Sequence, residues 1–457
     1  MTDVAGRPRR RGLGLWAATA LVVGNMIGSG VFLLPSSLAS FGAISVLGWL
    51  FTSLGAVLLA LVFARLGRCD PLVGGPYAYT RRAFGDFLGF QTAWGYWIAI
   101  WAGNAAIAVA FVGYLAHFFP VLASNRLLAM AVALVAIWVV TGVNAFGVRQ
   151  GGIVQVVTTV LKLVPLLAVA LIVPFFADPA NFTPFNASEQ GSFSAVTATA
   201  ALTLWAFIGI ESATVPAGDV REPRRTIPRA TLIGTIVTAV VYVLGTVAVL
   251  GVVPRDRLTE STAPFADAAS AVFGGWAGNA VAAGAAIAAF GALNGWVLLQ
   301  GQIPLAAARD GLFPKAFART SRGGAPVFGL VASSVLVTVL MAMNYTASLV
   351  SQFTFVILLA TLTTLVPYAY SAMAQLMLLA TDRGRFSRRR LLTDGVVALL
   401  AFAYSLWAIA GAGYEVMAKG LLLLLAGMPV YVWIAYRRKR GTTAAFPKKS
   451  DEGREAA

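Results

Sequence analysis

Twelve long apolar runs, parted by short polar or basic segments, limit this chain more than any other feature. They fall at about 13–39, 44–66, 87–118, 126–146, 153–176, 195–218, 231–253, 277–308, 326–344, 349–379, 393–412 and 416–436. A helix needs about 20 apolar residues to cross the hydrocarbon of a bilayer, and backbone polar groups at that depth must be satisfied internally. The runs therefore predict an all-α polytopic membrane protein of about 12 transmembrane helices with a lipid bilayer around it. Composition agrees. The 457 residues are 59% hydrophobic and 11% charged, against about 25% charged in soluble domains. The third, eighth and tenth runs exceed one bilayer thickness and predict tilt or helix beyond the membrane.

The net charge is +16, a value that in a soluble protein would raise nucleic acid as a partner. Here the basic residues sit between apolar runs and mark topology instead. Arg7 and Arg9–Arg11 precede the first run. Arg65, Arg68, Arg81 and Arg82, then Arg149, then Arg221, Arg224, Arg225 and Arg229 fall in alternate loops. Arg309, Lys315, Arg319 and Arg322, then Arg383, Arg385 and Arg388–Arg390, then Arg437, Arg438, Lys439 and Arg440 continue the pattern. Opposite loops hold only Arg126, Arg255 and Arg257. Both termini are thus expected in the cytoplasm of a cell with this protein in its inner membrane. One cysteine, Cys69, excludes an internal disulfide, and one histidine, His117, leaves no metal-ligand cluster. No cofactor is expected. The first run is too long for a cleavable signal, and the polar tail 437–457 reads as disordered.

Two runs carry breaks. In the first, Gly24-Asn25-Met26-Ile27-Gly28-Ser29-Gly30 places three glycines and a serine in seven residues, poor material for continuous helix. Broken helix in lipid is tolerated only against protein or a wet cavity. The N–H groups that open the second half-helix favour an anionic ligand group. Close helix packing through small residues is the competing explanation. In the sixth run, Phe207-Ile208-Gly209-Ile210-Glu211-Ser212 joins a glycine to a mid-span carboxylate. An acid at that depth is costly unless protonated or partnered, so Glu211 reads as a proton carrier or coupling element. A helix-end brace beside Ser212 and Thr214 is the alternative. Breaks five spans apart point to a 5+5 inverted repeat with discontinuous helices 1 and 6. The expected units are 1–11, a first repeat at 12–176, a second at 195–379, extra helices at 393–436, and the tail.

Several stretches carry a resemblance. They are Gly24-Asn25-Met26-Ile27-Gly28-Ser29-Gly30-Val31-Phe32-Leu33-Leu34-Pro35, Gly74-Gly75-Pro76-Tyr77-Ala78-Tyr79, Tyr96-Trp97-Ile98-Ala99 and Gly103-Asn104. Leu204 to Ala213, Gly295-Trp296, Asp310-Gly311-Leu312-Phe313-Pro314 and Leu365-Val366-Pro367-Tyr368 follow in order. From about 12 to 436 the chain resembles the amino acid–polyamine–organocation superfamily, and most closely the bacterial basic amino acid/polyamine antiporters of the arginine/agmatine type. The resemblance implies a leucine-transporter-type fold, a small-molecule amino acid or amine as substrate, and a homodimer.

It also implies roles. Asn25, Ser29 and Gly30 match the part of span 1 that holds the substrate carboxylate, and the Ile208 carbonyl matches one that takes the α-amino group. Trp205 matches an aromatic gate, and Trp296 a tryptophan packed on the substrate stem. Ala99, Ile100 and Asn104 match the span 3 wall near the guanidinium. Tyr77, Tyr96 and Tyr368 match gating positions, and Glu211 the family's proton-sensing glutamate. Three residues depart from the antiporter pattern. Lys162 replaces an apolar residue in span 5, as in proton-coupled or sodium-independent permeases of the superfamily, where a lysine stands in for a sodium ion beside span 1, so it joins the gating and proton-coupling residues; snorkelling is the alternative. Ala360 stands where a serine lies near the guanidinium. Asn294 replaces a glycine before Trp296 and offers a substitute polar group.

The expected function is secondary active transport by alternating access, with exchange of an arginine-like amino acid for an agmatine-like amine. Proton-coupled or uncoupled uptake of neutral or varied amino acids is the alternative, and a transporter-like sensor stands behind it. A channel lacks mid-span polar groups, and an enzyme lacks a nucleophile–base pair or metal cluster.

Overall fold

The computed structural model describes residues 13–69, 71, 74–146, 163–215, 217, 220–321, 323–381 and 387–443. Among the described residues eleven helices are long and apolar enough to cross a membrane. They are Leu15–Ala39, Gly42–Cys69, Asp86–Ala116, Arg126–Phe146, Ser192–Ala213, Pro223–Val252, Gly275–Arg309, Val327–Asn344, Leu349–Thr381, Arg388–Gly411 and Tyr414–Arg438. The apolar helix Leu163–Phe176 lies between the fourth and fifth of these. It is the described part of span 5, so the spans are numbered 1–12 in chain order. The chain is a multi-pass, all-α membrane protein.

Span lengths follow the hydropathy pattern. Spans 3, 8 and 10 run to 31, 35 and 33 residues. At about 1.5 Å per residue each outreaches the ~30 Å hydrocarbon core. Span 7 begins at Pro223, eight residues before its predicted start at 231. Pro223 occupies the first helical turn, where a missing N–H costs nothing, and the arginines around it disguise helix as loop. The last helix continues past 436 to Thr443, into the segment expected to be disordered. Helices Pro76–Phe84 and Pro264–Phe273 occupy the loops after spans 2 and 7.

Burial separates centre from periphery. Span 3 buries 89% of its apolar window and span 12 only 22%. Span 3 packs along spans 8 and 10, while span 2 packs along span 7. The outward faces of spans 4, 9, 11 and 12 carry exposed Trp138, Val139, Val335, Leu399, Leu422 and Trp433. These are the faces that lipid covers. The first half of span 1 leans on span 7 and on the Glu211 turn, which puts the two breaks at the middle of the molecule.

Candidate functional site

Span 1 is helical over Leu15–Met26 and again over Ser29–Ala39. Ile27 and Gly28 leave the helix between them, with Gly28 at φ −115° and ψ −149°. The N-cap residue of the second half is Gly28, which has no side chain to accept from the first-turn N–H groups. Span 6 is helical over Ser192–Leu204, tightens to a 3₁₀ turn at Trp205–Phe207, breaks at Ile208–Gly209, and resumes as a 3₁₀ turn at Ile210–Ala213. Among the described residues its second half holds no α-helix, only this 3₁₀ turn and the turn residues that follow it. Gly209 takes φ +111°, a conformation that side chains resist.

The two breaks touch. A Cβ at Gly209 would sit 3.3 Å from the Asn25 backbone and side chain. Asn25 Nδ2 donates to Ser212 Oγ at 2.8 Å. On span 7, the Tyr242 hydroxyl lies 2.6 Å from the Met26 carbonyl and 3.0 Å from the Ala206 carbonyl. One phenolic proton therefore serves a carbonyl from each break. Its ring is held edge-on by Phe207, with centroids 5.5 Å apart. Sequence reading passed over Tyr242; a single tyrosine in the aliphatic middle of span 7 was the available signal.

A cavity opens between the breaks and span 3. It is lined by Asn25, Met26, Gly28, Gly30, Tyr96, Ala99, Ile100, Gly103, Ile107, Trp205, Ala206, Ile208 and Trp296. Trp205 closes it. A Cβ at Gly30 would meet the indole at 2.7 Å, and so would one at Gly103. The ring therefore slots between spans 1 and 3 because both positions lack a side chain. Gly103, Ile107, Met26 and Ala206 were given no role from sequence, although all but Ile107 fall in stretches that carry the resemblance.

Glu211 lies beside this cavity, fully buried. The hydroxyls of Tyr96 and Tyr368 each donate to one of its carboxylate oxygens. The Gly209 N–H approaches the Tyr368 hydroxyl at 3.4 Å, and Phe63 packs edge-on against the Tyr368 ring at 5.2 Å. Tyr96 thus has its ring on the cavity and its hydroxyl on the acid.

Of the predicted residues, Asn25, Gly30, Tyr96, Ala99, Ile100, Trp205, Ile208 and Trp296 come together on the cavity. Glu211 is one hydrogen bond behind Tyr96, and Tyr368 lies on the far side of Glu211. Ser29 opens the second half-helix of span 1. Its side chain and Lys162 lie outside the described residues. Ala360 is fully buried in span 10 and is not in the cavity wall. Asn104 is buried behind that wall, donating to Gln300 Oε1 at 2.7 Å. Asn294 turns to span 4, accepting from Asn144 Nδ2 at 3.0 Å, so it does not replace a lost polar group in the cavity. Tyr77 stands apart from Glu211, in the helix after span 2. It donates to Asp310 at 2.7 Å, and Arg81 bonds both Asp310 at 2.7 Å and Asp86 at 3.0 Å. Burial, reinforced by that bond to Asp310, pushes the Tyr77 phenol above its ordinary range.

Residues 13–432 match the amino acid permease family model. The chain belongs to the amino acid permease family. The permease is 39% identical over 366 residues to the cadaverine/lysine antiporter of Escherichia coli (strain K12), covering 79% of this chain and 82% of the relative. It is 35% identical over 459 residues to a Bacillus subtilis (strain 168) protein provisionally named an arginine/ornithine antiporter, covering 92% and 97%. It is 31% identical over 426 residues to the putrescine transporter PotE of Haemophilus influenzae, covering 93% and 97%. The permease is thus a membrane transporter by family, and both of its helix breaks border the cavity, at Gly28 and Ile208.

Proposed function

We propose that this permease is an antiporter that exchanges a basic amino acid for an amine formed by its decarboxylation. The observation that carries the reading is the cavity between the two broken spans, with Tyr96 joining its wall to the buried Glu211. The uncapped start of the second half of span 1 receives the substrate carboxylate. The Ile208 carbonyl, at the end of the first half of span 6, receives the α-ammonium. Trp205 and Trp296 pack the aliphatic stem, and aromatic faces suit a distal cation. An amine product lacks the carboxylate, so it leaves the span 1 half-helix unengaged, and that difference separates the two exchanged species. Glu211 couples proton movement to the cycle through Tyr96 and Tyr368.

The relatives' names include lysine with cadaverine, arginine with ornithine, and putrescine. They support a substrate class with a distal cation and widen it beyond arginine with agmatine. The alternating Lys/Arg loops support termini in the cytoplasm and a plasma-membrane location.

The test is competition against bound labelled lysine or arginine on the purified permease. Basic amino acids and their decarboxylated amines should displace the label, and leucine and glutamate should not. Displacement by leucine as effective as that by lysine contradicts the proposed substrate class.

A further inference from the structure

Another cavity lies where spans 1 and 7 begin, about 140 Å³ in volume and lined by Leu15, Glu222, Arg225, Thr226 and Arg229. One water needs ~10–15 Å³ of such space, so a tetrahedral phosphate group fits with part of its hydration. The backbone beneath the cavity is fixed. Leu13 pairs with Val220 in a parallel bridge, and the Arg221 N–H donates to the Leu13 carbonyl at 2.9 Å. The Arg225 and Thr226 N–H groups both donate to the Glu222 carbonyl, at 2.8 and 2.9 Å, and the Thr226 hydroxyl donates to the Arg221 carbonyl at 2.6 Å. The entry to span 1 and the first turn of span 7 are thus joined, with the cavity at the junction. None of its residues lines the substrate cavity.

The cavity is positively charged. Arg225 and Arg229 bring two guanidiniums, and the Glu222 carboxylate, 3.7 Å from Arg225, offsets one of them. Arg221 and Arg224, both exposed, follow the same turn of chain. A guanidinium grips a phosphate through paired N–H groups and stays charged at any physiological pH. The Lys/Arg loops assign this end of the molecule to the cytoplasm, the side on which anionic lipids attract basic segments.

The helix face next to the cavity separates a lipid from a soluble phosphate. Arg225, Arg229, Ile236 and Val240 recur at helical spacing and share one face of span 7. Ile236 and Val240 are 51% and 53% exposed, and Ile236 lies about 10 Å along the axis from Arg229 at ~1.5 Å per residue. One stripe therefore runs from two guanidiniums to bare apolar surface within the bilayer. Trp16, next to Leu15 and 75% exposed, suits the interfacial level at which tryptophan collects. A free phosphate uses only the basic end of that stripe. A phospholipid uses both, its headgroup among the arginines and an acyl chain along Ile236 and Val240.

We infer that this cavity binds the headgroup of an anionic phospholipid, with Arg225 and Arg229 on the phosphate and the exposed face of span 7 under an acyl chain. A choline headgroup carries its own cation, which the arginines repel. The bound lipid bridges the starts of spans 1 and 7. The inference does not depend on which substrate is exchanged.

The experiment titrates purified full-length permease in neutral detergent with phosphatidylglycerol and with phosphatidylcholine of the same acyl chains. Native mass spectrometry reads the lipid retained on each chain. Wild type should prefer phosphatidylglycerol about tenfold or more. Arg225→Gln/Arg229→Gln should lose that preference, because each basic group near the surface contributes to holding an anionic lipid. Arg388→Gln/Arg389→Gln removes the same charge from the exposed start of span 11 and should keep it. Leu15→Glu sets a carboxylate on the opposite wall and should also lose it, which decides the matter should the first variant not fold. An unchanged preference in Arg225→Gln/Arg229→Gln or in Leu15→Glu overturns the site. Equal loss in the two double-arginine variants overturns it as well, since surface charge alone then holds the lipid. Displacement of phosphatidylglycerol by inorganic phosphate, beyond that by sodium chloride of equal ionic strength, overturns the lipid assignment in favour of a soluble phosphate.

Discussion

The Tyr96 hydroxyl donates to the Glu211 carboxylate while the Tyr96 ring forms part of the cavity wall. A ligand that shifts the ring shifts a bond to the acid, and a change in the acid's proton alters the wall. The second hydroxyl on Glu211, from Tyr368, comes from span 10. The acid of one broken span is therefore held by two spans that are continuous through the membrane.

Glu211→Gln keeps the side chain's size and removes its titration. Exchange measured from pH 5 to 8 should lose its pH dependence, while substrate still competes for the site. Tyr96→Phe should move the pH profile without flattening it, because Tyr368 still donates to the acid. A Glu211→Gln profile parallel to wild type contradicts the coupling role.

Gly103→Ala places a methyl 2.7 Å from the Trp205 ring position and should lower exchange about tenfold or more, since a displacement near 1 Å at a site can cost ~100-fold. Trp205→Leu should cost less in the Gly103→Ala background than in wild type, because there it also removes the collision. Fully additive losses in the double variant contradict the close fit of Trp205 on Gly103.

Tyr242→Phe keeps the ring against Phe207 and removes the proton shared by the Met26 and Ala206 carbonyls. The Met26 carbonyl retains the Gly28 N–H at 2.8 Å, so the Ala206 carbonyl bears the loss. An unpaired buried acceptor costs about 1–3 kcal/mol. The apparent Tm of the purified protein should drop, and bound substrate should restore part of it. An unchanged Tm contradicts the bracing role.

Asn294→Ala should lower stability by about 1 kcal/mol, the loss of one neutral hydrogen bond, and leave the apparent KM unchanged. Asn294 faces Asn144 on span 4 and not the cavity. A KM shift of several-fold with unchanged Tm reverses that assignment.

The spans were legible because each is a run of apolar residues longer than a soluble helix needs, and the break in span 1 because glycine is dense there. Span 7 was cut short, since Arg224, Arg225 and Arg229 sit on helix rather than in loop. The 3₁₀ turn after Gly209 was also missed: hydropathy does not distinguish a 3₁₀ turn from a helix. The cavity residues were found through a resemblance whose motifs fall on both breaks. Side-chain direction was not legible. Asn104 and Asn294 look alike in sequence as mid-span amides near the site, yet each is claimed by an amide on another span, Gln300 and Asn144. Tyr242 and Gln300 act on groups far away in the chain, and such pairings arise only when the helices pack.

Exchange itself is tested most directly by uptake of labelled lysine and arginine into proteoliposomes holding the purified permease. One set of vesicles is preloaded with cadaverine or agmatine, one with the amino acid, and one with buffer alone. Antiport predicts uptake into both preloaded sets and none above background into the buffer set. Uptake into buffer-filled vesicles driven by an inward proton gradient contradicts antiport and makes the protein a proton-coupled importer.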